Sequence, residues 1–130
     1  MAQQFPVDVK YTKDHEWARK EGAHIRIGIS QHAIDQLGDI TLVNFEAKVG
    51  ATLEAGKAIG TVESVKAVSD VYAPIAGKVV EVNTALNDKP EILNEDPYGK
   101  GWMVLIESTG PEPELMDSTA YASFVATLDH

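Results

Sequence analysis

The chain has 130 residues, of which 44% are hydrophobic, and its 11 basic and 20 acidic side chains give a formal net charge of −9. This length fits one domain with a modest core, and the charge argues against nucleic-acid binding, which needs lysine and arginine to neutralise phosphates. Because the chain has no cysteine, disulfides, thiolate nucleophiles and cysteine-based zinc sites are excluded, and redox chemistry would require a cofactor.

No apolar run approaches the roughly 20 residues that span a bilayer. The first residues, MAQQFPVDVK, have neither the charged-then-apolar pattern of a signal peptide nor the arginines of a transit peptide. We therefore expect a protein without membrane association, in a bacterial cytoplasm or, as a mature eukaryotic form, in the mitochondrial matrix. We expect a single domain over residues 1–130 and a monomer.

The first predicted elements lie between residues 24 and 45. HIRIGIS, which begins at His24, places isoleucine at alternate positions, and this period predicts a strand. In SQHAIDQLGD, Ser30 is a suitable N-cap and Gly38 a suitable stop, so a short helix is expected between them. ITLVNF, which follows, again predicts a strand. The apolar face of the helix consists of Ala33, Ile34 and Leu37.

The second half of the chain is predicted to be mostly β. Residues 49–87 contain short β segments separated by glycine and proline, NDKPEILNEDPYGKG is a polar excursion, and WMVLIES is a buried strand. Pro111 and Pro113 interrupt the chain. A C-terminal helix over about residues 117–129 is predicted by apolar residues at i, i+3, i+4 and i+7. These are Tyr121, Phe124, Val125 and Leu128. Many short strands with peripheral helices predict a sandwich-like domain.

A short internal repeat surrounds Lys66. AGKAIGTV begins at Ala55 and AGKVVEVN begins 21 positions later, at Ala76. Two similar strands joined by a tight connection would place Lys66, near the midpoint, at the tip of a hairpin. The repeat glycines, Gly56 and Gly77, are expected in turns.

The segment around Lys66 also fits a helix. Val62, Val65, Val68 and Val71 recur every third residue. In a helix, Lys66 would pair with Glu63 or Asp70 as a solvated surface charge, which stabilises by only about 0.3–0.5 kcal/mol. The β-branched content favours a strand, but the pattern leaves both conformations open. At a hairpin tip the amine would be accessible to an acylating enzyme, and the product would be a flexible arm that carries a cofactor.

The segment ESVKAVSDVYAPIAGKV resembles the lipoyl-lysine region of the glycine cleavage system H protein family. YTKDHEW, GISQHAIDQLGDI, NEDPYGKGW and TAY resemble other motifs of that family, in the same order, between Tyr11 and Tyr121. The resemblance implies a mainly β, lipoyl-domain-like barrel-sandwich hybrid with short peripheral helices and a C-terminal helix. It also implies a lipoyl-lysine hairpin over about residues 59–77 and thus favours the hairpin over the helix.

The resemblance further implies a carrier that is not itself an enzyme. Lipoate would be amide-linked to Lys66, within an attachment segment formed by Glu63, Ser64, Val65 and Ala67. The implied partners are glycine decarboxylase, a pyridoxal-phosphate enzyme that loads an aminomethyl group, and the tetrahydrofolate-dependent aminomethyltransferase that removes it. Dihydrolipoamide dehydrogenase, which uses FAD and NAD, would take the electrons, and a lipoate ligase or a lipoyl/octanoyl transferase would attach the cofactor.

Similar proteins hold the amine of the loaded arm with carboxylates. Glu16 and Asp70 match those positions. Asp14, where the family often has serine or glutamate, and His32 complete the predicted cleft. The alternative for Glu16 and Asp70 is a solvated surface charge. None of the four histidines has i, i+4 ligand spacing, so no metal site is predicted.

Other functions remain as alternatives. One is a lipoyl relay that donates lipoate to other enzymes, and another is a lipoyl domain of a 2-oxo acid dehydrogenase or a biotin carrier. These last two usually present Asp-Lys-Ala or Met-Lys-Met and lie in longer chains, whereas this chain has Val-Lys-Ala. An enzyme is disfavoured because no nucleophile triad, phosphate loop or paired-carboxylate motif is present. A purely structural domain is the remaining alternative.

Overall fold

The protein, as a computed structural model, is described over residues 5–109 and 115–128. The predicted break at Pro111 and Pro113 lies outside these residues. The strands are β1 (Lys10–Tyr11), β2 (Glu16–Glu21), β3 (His24–Ile29), β4 (Ile40–Phe45), β5 (Thr52–Leu53), β6 (Ala58–Ser64), β7 (Val68–Tyr72), β8 (Gly77–Val82) and β9 (Val104–Ser108). The helices are α1 (Gln31–Leu37), α2 (Ala85–Asp88), α3 (Ile92–Glu95) and α4 (Ser118–Leu128).

The strands form two antiparallel sheets, one of six strands in the order β1-β2-β3-β9-β8-β5 and one of three in the order β4-β6-β7. The alternating isoleucines of β3 are all buried, as the period of two predicts. Buried apolar side chains from both sheets, including Ile27, Val62 and Val79, belong to one cluster. This shared cluster is the main core, and it is what holds the two sheets together.

The segment around Lys66 is a hairpin and not a helix. β6 pairs with β7, with Glu63 opposite Val68, and Lys66 lies in the connection between them. The predicted pairing of the two repeat copies with each other was nevertheless wrong. The two copies run into β6 and β8, which lie in different sheets, so they do not form the hairpin with each other.

The two repeat glycines also differ. Gly56 has a φ of +88° and lies in a turn, as expected. Gly77 is instead the first residue of β8, and a β-carbon there would lie 2.6 Å from the backbone oxygen of Glu107 on β9. The turn prediction for Gly77 was wrong because close packing between neighbouring strands, and not a turn, requires glycine at this position.

Helix α1 has the predicted ends. Ser30 Oγ accepts a hydrogen bond from the N–H of Ala33, and Gly38 ends the helix with a φ of +80°. The predicted polar excursion, NDKPEILNEDPYGKG, lies between β8 and β9. It contains α3 and the end of α2, each a single turn anchored by one buried leucine.

Helix α4 contributes Tyr121 to a buried aromatic cluster, here called the aromatic wedge. Its other members are Phe5, Tyr11 and Trp17. The rings of Tyr11 and Tyr121 stack with centroids 4.4 Å apart. Tyr121 and Val125 are buried, as the helical period predicted, but Leu128 is 47% exposed. Leu128, the last described residue of the helix, thus departs from the predicted apolar face.

These features confirm the predicted fold class, a mainly β domain with short peripheral helices and a C-terminal helix. The single-domain assignment over residues 1–130 stays a prediction. None of the helices within residues 5–109 and 115–128 has the length and apolar character of a membrane-spanning segment.

Candidate functional site

At the tip of the β6–β7 hairpin, residues 64–67, the side chains of Val65, Lys66 and Ala67 are exposed to solvent, whereas Ser64 is half-buried. Val65 is 76% exposed and Val68, which follows the tip, is 65% exposed. The N–H of Ser64 donates to the carbonyl of Ala67 at 2.8 Å and so closes the base of the tip. The tip is therefore a short loop with a fixed base and little packing around it.

Lys66 lies in this tip and is exposed. Its stem passes beside Gly38, since a β-carbon on Gly38 would lie 3.5 Å from Lys66 Cε and 4.0 Å from Nζ. Within residues 5–109 and 115–128, no carboxylate forms an ion pair with Nζ. Among the described residues the amine thus has no charged partner, and a side chain at position 38 would reach ordinary van der Waals contact with the lysine stem.

The turn under Lys66 is fixed by a residue that the sequence did not single out. Asn94, on α3, donates from Nδ2 to the carbonyl of Gly38 and accepts at Oδ1 from the N–H of Ile40, both at 2.9 Å. One side chain therefore ties both ends of the connection between α1 and β4. NEDPYGKGW contains this asparagine, but only the tertiary contact shows its role.

Glu16, at the start of β2, is only 2% exposed. Thr12 Oγ1 donates to its Oε1 at 2.7 Å, and the N–H of Tyr72 on β7 donates to its Oε2 at 3.3 Å. Burial raises the pKa of Glu16 to about 7, although the hydrogen bonds from Thr12 and Tyr72 oppose the shift. The solvated-charge alternative was wrong for Glu16, because the two sheets enclose it.

Asp70 and Asp14 lie on the exposed side of the same region. The hydroxyl of Tyr72 donates to Asp70 Oδ2 at 3.3 Å. The negative charge of Asp70, with smaller contributions from Asp14 and Glu16, raises the pKa of Tyr72. Asp70 contacts the hydroxyl of Tyr72, Glu16 contacts its N–H, and the charge of Asp14 acts on it from nearby; we call these three carboxylates the acidic cluster. Tyr72 was not predicted, and no local pattern marks it.

His32 is buried in a different setting. Its ring lies 4.6 Å, centroid to centroid, from that of His15. His15 Nδ1 and Ser30 Oγ are each 2.7 Å from the hydroxyl of Tyr121. Burial, together with the neighbouring His32, lowers the pKa of His15. The structure thus places His32 beside the contacts that anchor α4, and a role in the arm cleft stays a prediction.

Two antiparallel sheets, a lysine at an exposed hairpin tip and carboxylates on the adjoining strands define a domain of the lipoyl-domain class.

Comparisons with known proteins identify the family. The model of the glycine cleavage H-protein family matches residues 9–128. The glycine cleavage system H protein of Stenotrophomonas maltophilia (strain K279a) is 54% identical over 98% of each chain, and that of Myxococcus xanthus is 48% identical over 96% of this chain and 98% of its own. A crystal structure of the glycine cleavage system H protein from Mycobacterium marinum superposes with a TM-score of 0.86 at 42% identity, covering 93% of this chain and 98% of that one.

The chain belongs to the glycine cleavage H-protein family. Membership implies a lipoyl cofactor and, as partners, the other components of the glycine cleavage system.

Proposed function

We propose that this protein is the lipoyl-bearing shuttle of the glycine cleavage system. It would carry the aminomethyl group from glycine decarboxylase to the aminomethyltransferase and electrons to dihydrolipoamide dehydrogenase, and it would catalyse none of these steps. Family membership favours this function over a lipoyl domain of a 2-oxo acid dehydrogenase. The observation that carries the proposal is the position of Lys66, exposed at a hairpin tip where no carboxylate of residues 5–109 and 115–128 pairs with its amine.

The residues at the tip fit a lipoyl group. An amide bond removes the charge of the amine, so the attachment atom needs no carboxylate partner, and none is present in the described part of the chain. The lysine stem lies beside Gly38, where even an added β-carbon would make only ordinary van der Waals contact with it. When bound, the lipoyl group would supply a disulfide that is reduced reversibly and a sulfur that accepts a one-carbon unit. The chain itself supplies the position from which this group reaches other enzymes.

The acidic cluster would attract and orient an amine. A cation that approaches Glu16 favours its ionised form, because an opposite charge lowers the pKa of a carboxyl group. The resulting carboxylate can accept a charge-assisted hydrogen bond. Thr12 and the backbone of Tyr72 hold both oxygens of Glu16 in place. Asp70 and Asp14, which are exposed, add negative charge on the solvent side of the acidic cluster.

The surface beside Lys66 also offers apolar contacts to enzymes that act on the arm. Leu42, which lies opposite Glu63 in the three-stranded sheet, is 45% exposed, and Val65 and Val68 are more exposed still. Exposed apolar side chains grouped on one surface are typical of protein–protein contacts. The net charge of −9 would favour partners with positively charged clefts.

Lys66→Arg tests the proposal, because guanidinium keeps the charge but is too basic to be acylated. After incubation with lipoate ligase, lipoate and ATP, the wild-type protein should gain one lipoyl mass on the peptide that contains Lys66. Lys66→Arg should stay folded, gain no mass and support no glycine cleavage when the partner enzymes are added. Lys57→Arg, which alters an exposed lysine in the first repeat, is the matched control and should behave as wild type.

Turnover by Lys66→Arg would show that the carrier function is wrong. Lipoylation of the wild-type protein on Lys66 without support of glycine cleavage would favour the relay alternative.

The cluster is tested separately with Glu16→Gln and Asp70→Asn on the lipoylated protein. Each should speed release of the aminomethyl group to solvent, since each removes a carboxylate that would hold the amine. Glu54→Gln, an exposed residue outside the cluster, is the control. An unchanged release rate would remove the altered carboxylate from the mechanism.

A further inference from the structure

The loop that carries Lys66 lacks the residues that usually close a tight hairpin. Two-residue hairpin loops generally place glycine, asparagine or aspartate at positive φ, because that twist matches the flanking strands. Here the central residues are Val65 and Lys66. Among the described non-glycine residues, His15 is the only one with positive φ. Both central residues therefore have negative φ, a geometry that lets the strands splay unless another group closes the loop.

The hydroxyl of Ser64 closes it. Ser64 Oγ accepts hydrogen bonds from the N–H of Ala67 at 3.1 Å and from the N–H of Lys66 at 3.3 Å, and it donates to the carbonyl of Ala67 at 3.3 Å. One donor and two acceptor positions are all that a hydroxyl has. In an ordinary β-turn the fourth N–H bonds to the first carbonyl. Here the serine side chain takes the place of that carbonyl.

Packing adds little order to the same loop. Val65, Lys66 and Ala67 are all exposed, and segments with few buried apolar contacts open at low free energy. The hydrogen bonds of Ser64 act on the peptide groups on both sides of Lys66. They are thus the main local restraint on the point from which the lysine side chain leaves the backbone.

We infer that Ser64 is a positioning residue for the acylation of Lys66. The inference rests on the proposed function, since it needs Lys66 to be the substrate of an acyl-transferring enzyme. In that reaction the neutral Nζ attacks the carbonyl carbon of an acyl adenylate made from lipoate and ATP. The amide bond forms, AMP leaves with the electrons of the acyl–oxygen bond, and the amine releases a proton. A loop that is already ordered spares the enzyme the entropy of ordering it on binding.

The test compares Ser64→Ala and Ser64→Thr with wild type. Initial rates of acylation by purified lipoate ligase, with lipoate and ATP, are measured against the concentration of each protein. Ser64→Ala should lower kcat/KM about five- to tenfold, the effect of losing hydrogen bonds in a partly exposed loop. Ser64→Thr keeps the hydroxyl and should recover to within about twofold. Ser69→Ala is the matched control, since the Ser69 hydroxyl makes one weak bond, 3.4 Å to the carbonyl of Asp70.

A second readout does not depend on acylation. Amide hydrogen exchange should speed up at Lys66 and Ala67 in Ser64→Ala and stay slow in Ser64→Thr, with exchange in the core strands unchanged in both. Wild-type kcat/KM or wild-type exchange in Ser64→Ala would overturn the inference and leave the proposed function intact. If wild-type protein itself gained no lipoyl mass on Lys66, the proposed function and the inference would both fall.

Discussion

The hairpin tip and the aromatic wedge differ in burial and in the interactions that order them. The tip is solvent-exposed, and hydrogen bonds of a single hydroxyl order it. The wedge buries four aromatic side chains and joins α4 to the six-stranded sheet through stacked rings and the shared hydroxyl of Tyr121. This difference in burial indicates that the proposed modification site, Lys66, contributes little to the free energy of folding. We therefore expect the wedge to contribute more to the stability of the domain than the tip does, and the tip to serve its function.

The largest effect on stability is expected in the wedge. Tyr121→Ala removes a fully buried ring and leaves His15 and Ser30 without the hydroxyl that each of them contacts. Loss of a buried aromatic side chain lowers the free energy of unfolding by about 3–5 kcal/mol. Urea denaturation checks this. A loss below about 1 kcal/mol would contradict the assignment of the wedge as a region that stabilises the fold.

Glu16, between the two regions, should make stability depend on pH. Burial raises its pKa from 4.5 to about 7 in the folded protein, so the folded state holds its proton more tightly than the unfolded state does. The contribution of Glu16 to the free energy of unfolding is complete below about pH 4.5. It is lost as the pH rises to about 7, and the free energy of unfolding then falls by about 2–4 kcal/mol. Urea denaturation of the wild type and of Glu16→Gln at several pH values measures this decrease.

The difference between the two pH curves isolates Glu16. Burial lowers the pKa of His15, which gives a slope of opposite sign, but that slope is common to both proteins. Parallel curves for wild type and Glu16→Gln between pH 4.5 and 7 would show that the carboxyl group titrates normally.

Asn94→Ala should have an intermediate effect, because it acts on the turn beneath the tip. The change removes two hydrogen bonds and leaves the carbonyl of Gly38 and the N–H of Ile40 without their partner. We expect the free energy of unfolding to fall by about 1–3 kcal/mol. Asn87→Ala, which removes one side-chain bond to the carbonyl of Val43, is a comparison and should cost less. Equal losses of stability in Asn94→Ala and Asn87→Ala would show that the turn under Lys66 contributes no more than a single side-chain hydrogen bond elsewhere.

The smallest effect is expected at the tip itself. Val65→Ser exchanges a side chain that is 76% exposed and should change the free energy of unfolding by less than about 0.5 kcal/mol. The same variant should bind partner enzymes less well if the exposed valines contact them. A stability loss above 1 kcal/mol would mean that the tip is packed in solution and would weaken the contrast with the wedge.

Local features of the fold were predictable because they depend on neighbours in the chain. The alternating isoleucines mark β3 by their period, and Ser30 and Gly38 mark the ends of α1 through capping chemistry. Lys66 was a different case. The residue pattern left helix and hairpin open, and the resemblance of ESVKA and its companion motifs to a known family decided between them.

The tertiary structure alone decided which strands pair and which polar groups meet. The two Ala-Gly-Lys segments have the same local sequence, yet Gly56 turns the chain while Gly77 lies against β9, because the contacts that distinguish them come from residues far away in sequence. Glu16 is likewise an ordinary acidic residue until β2 and β7 enclose it and burial raises its pKa. Periodicity and capping are local properties that a sequence displays directly, whereas burial and strand pairing depend on how distant segments pack.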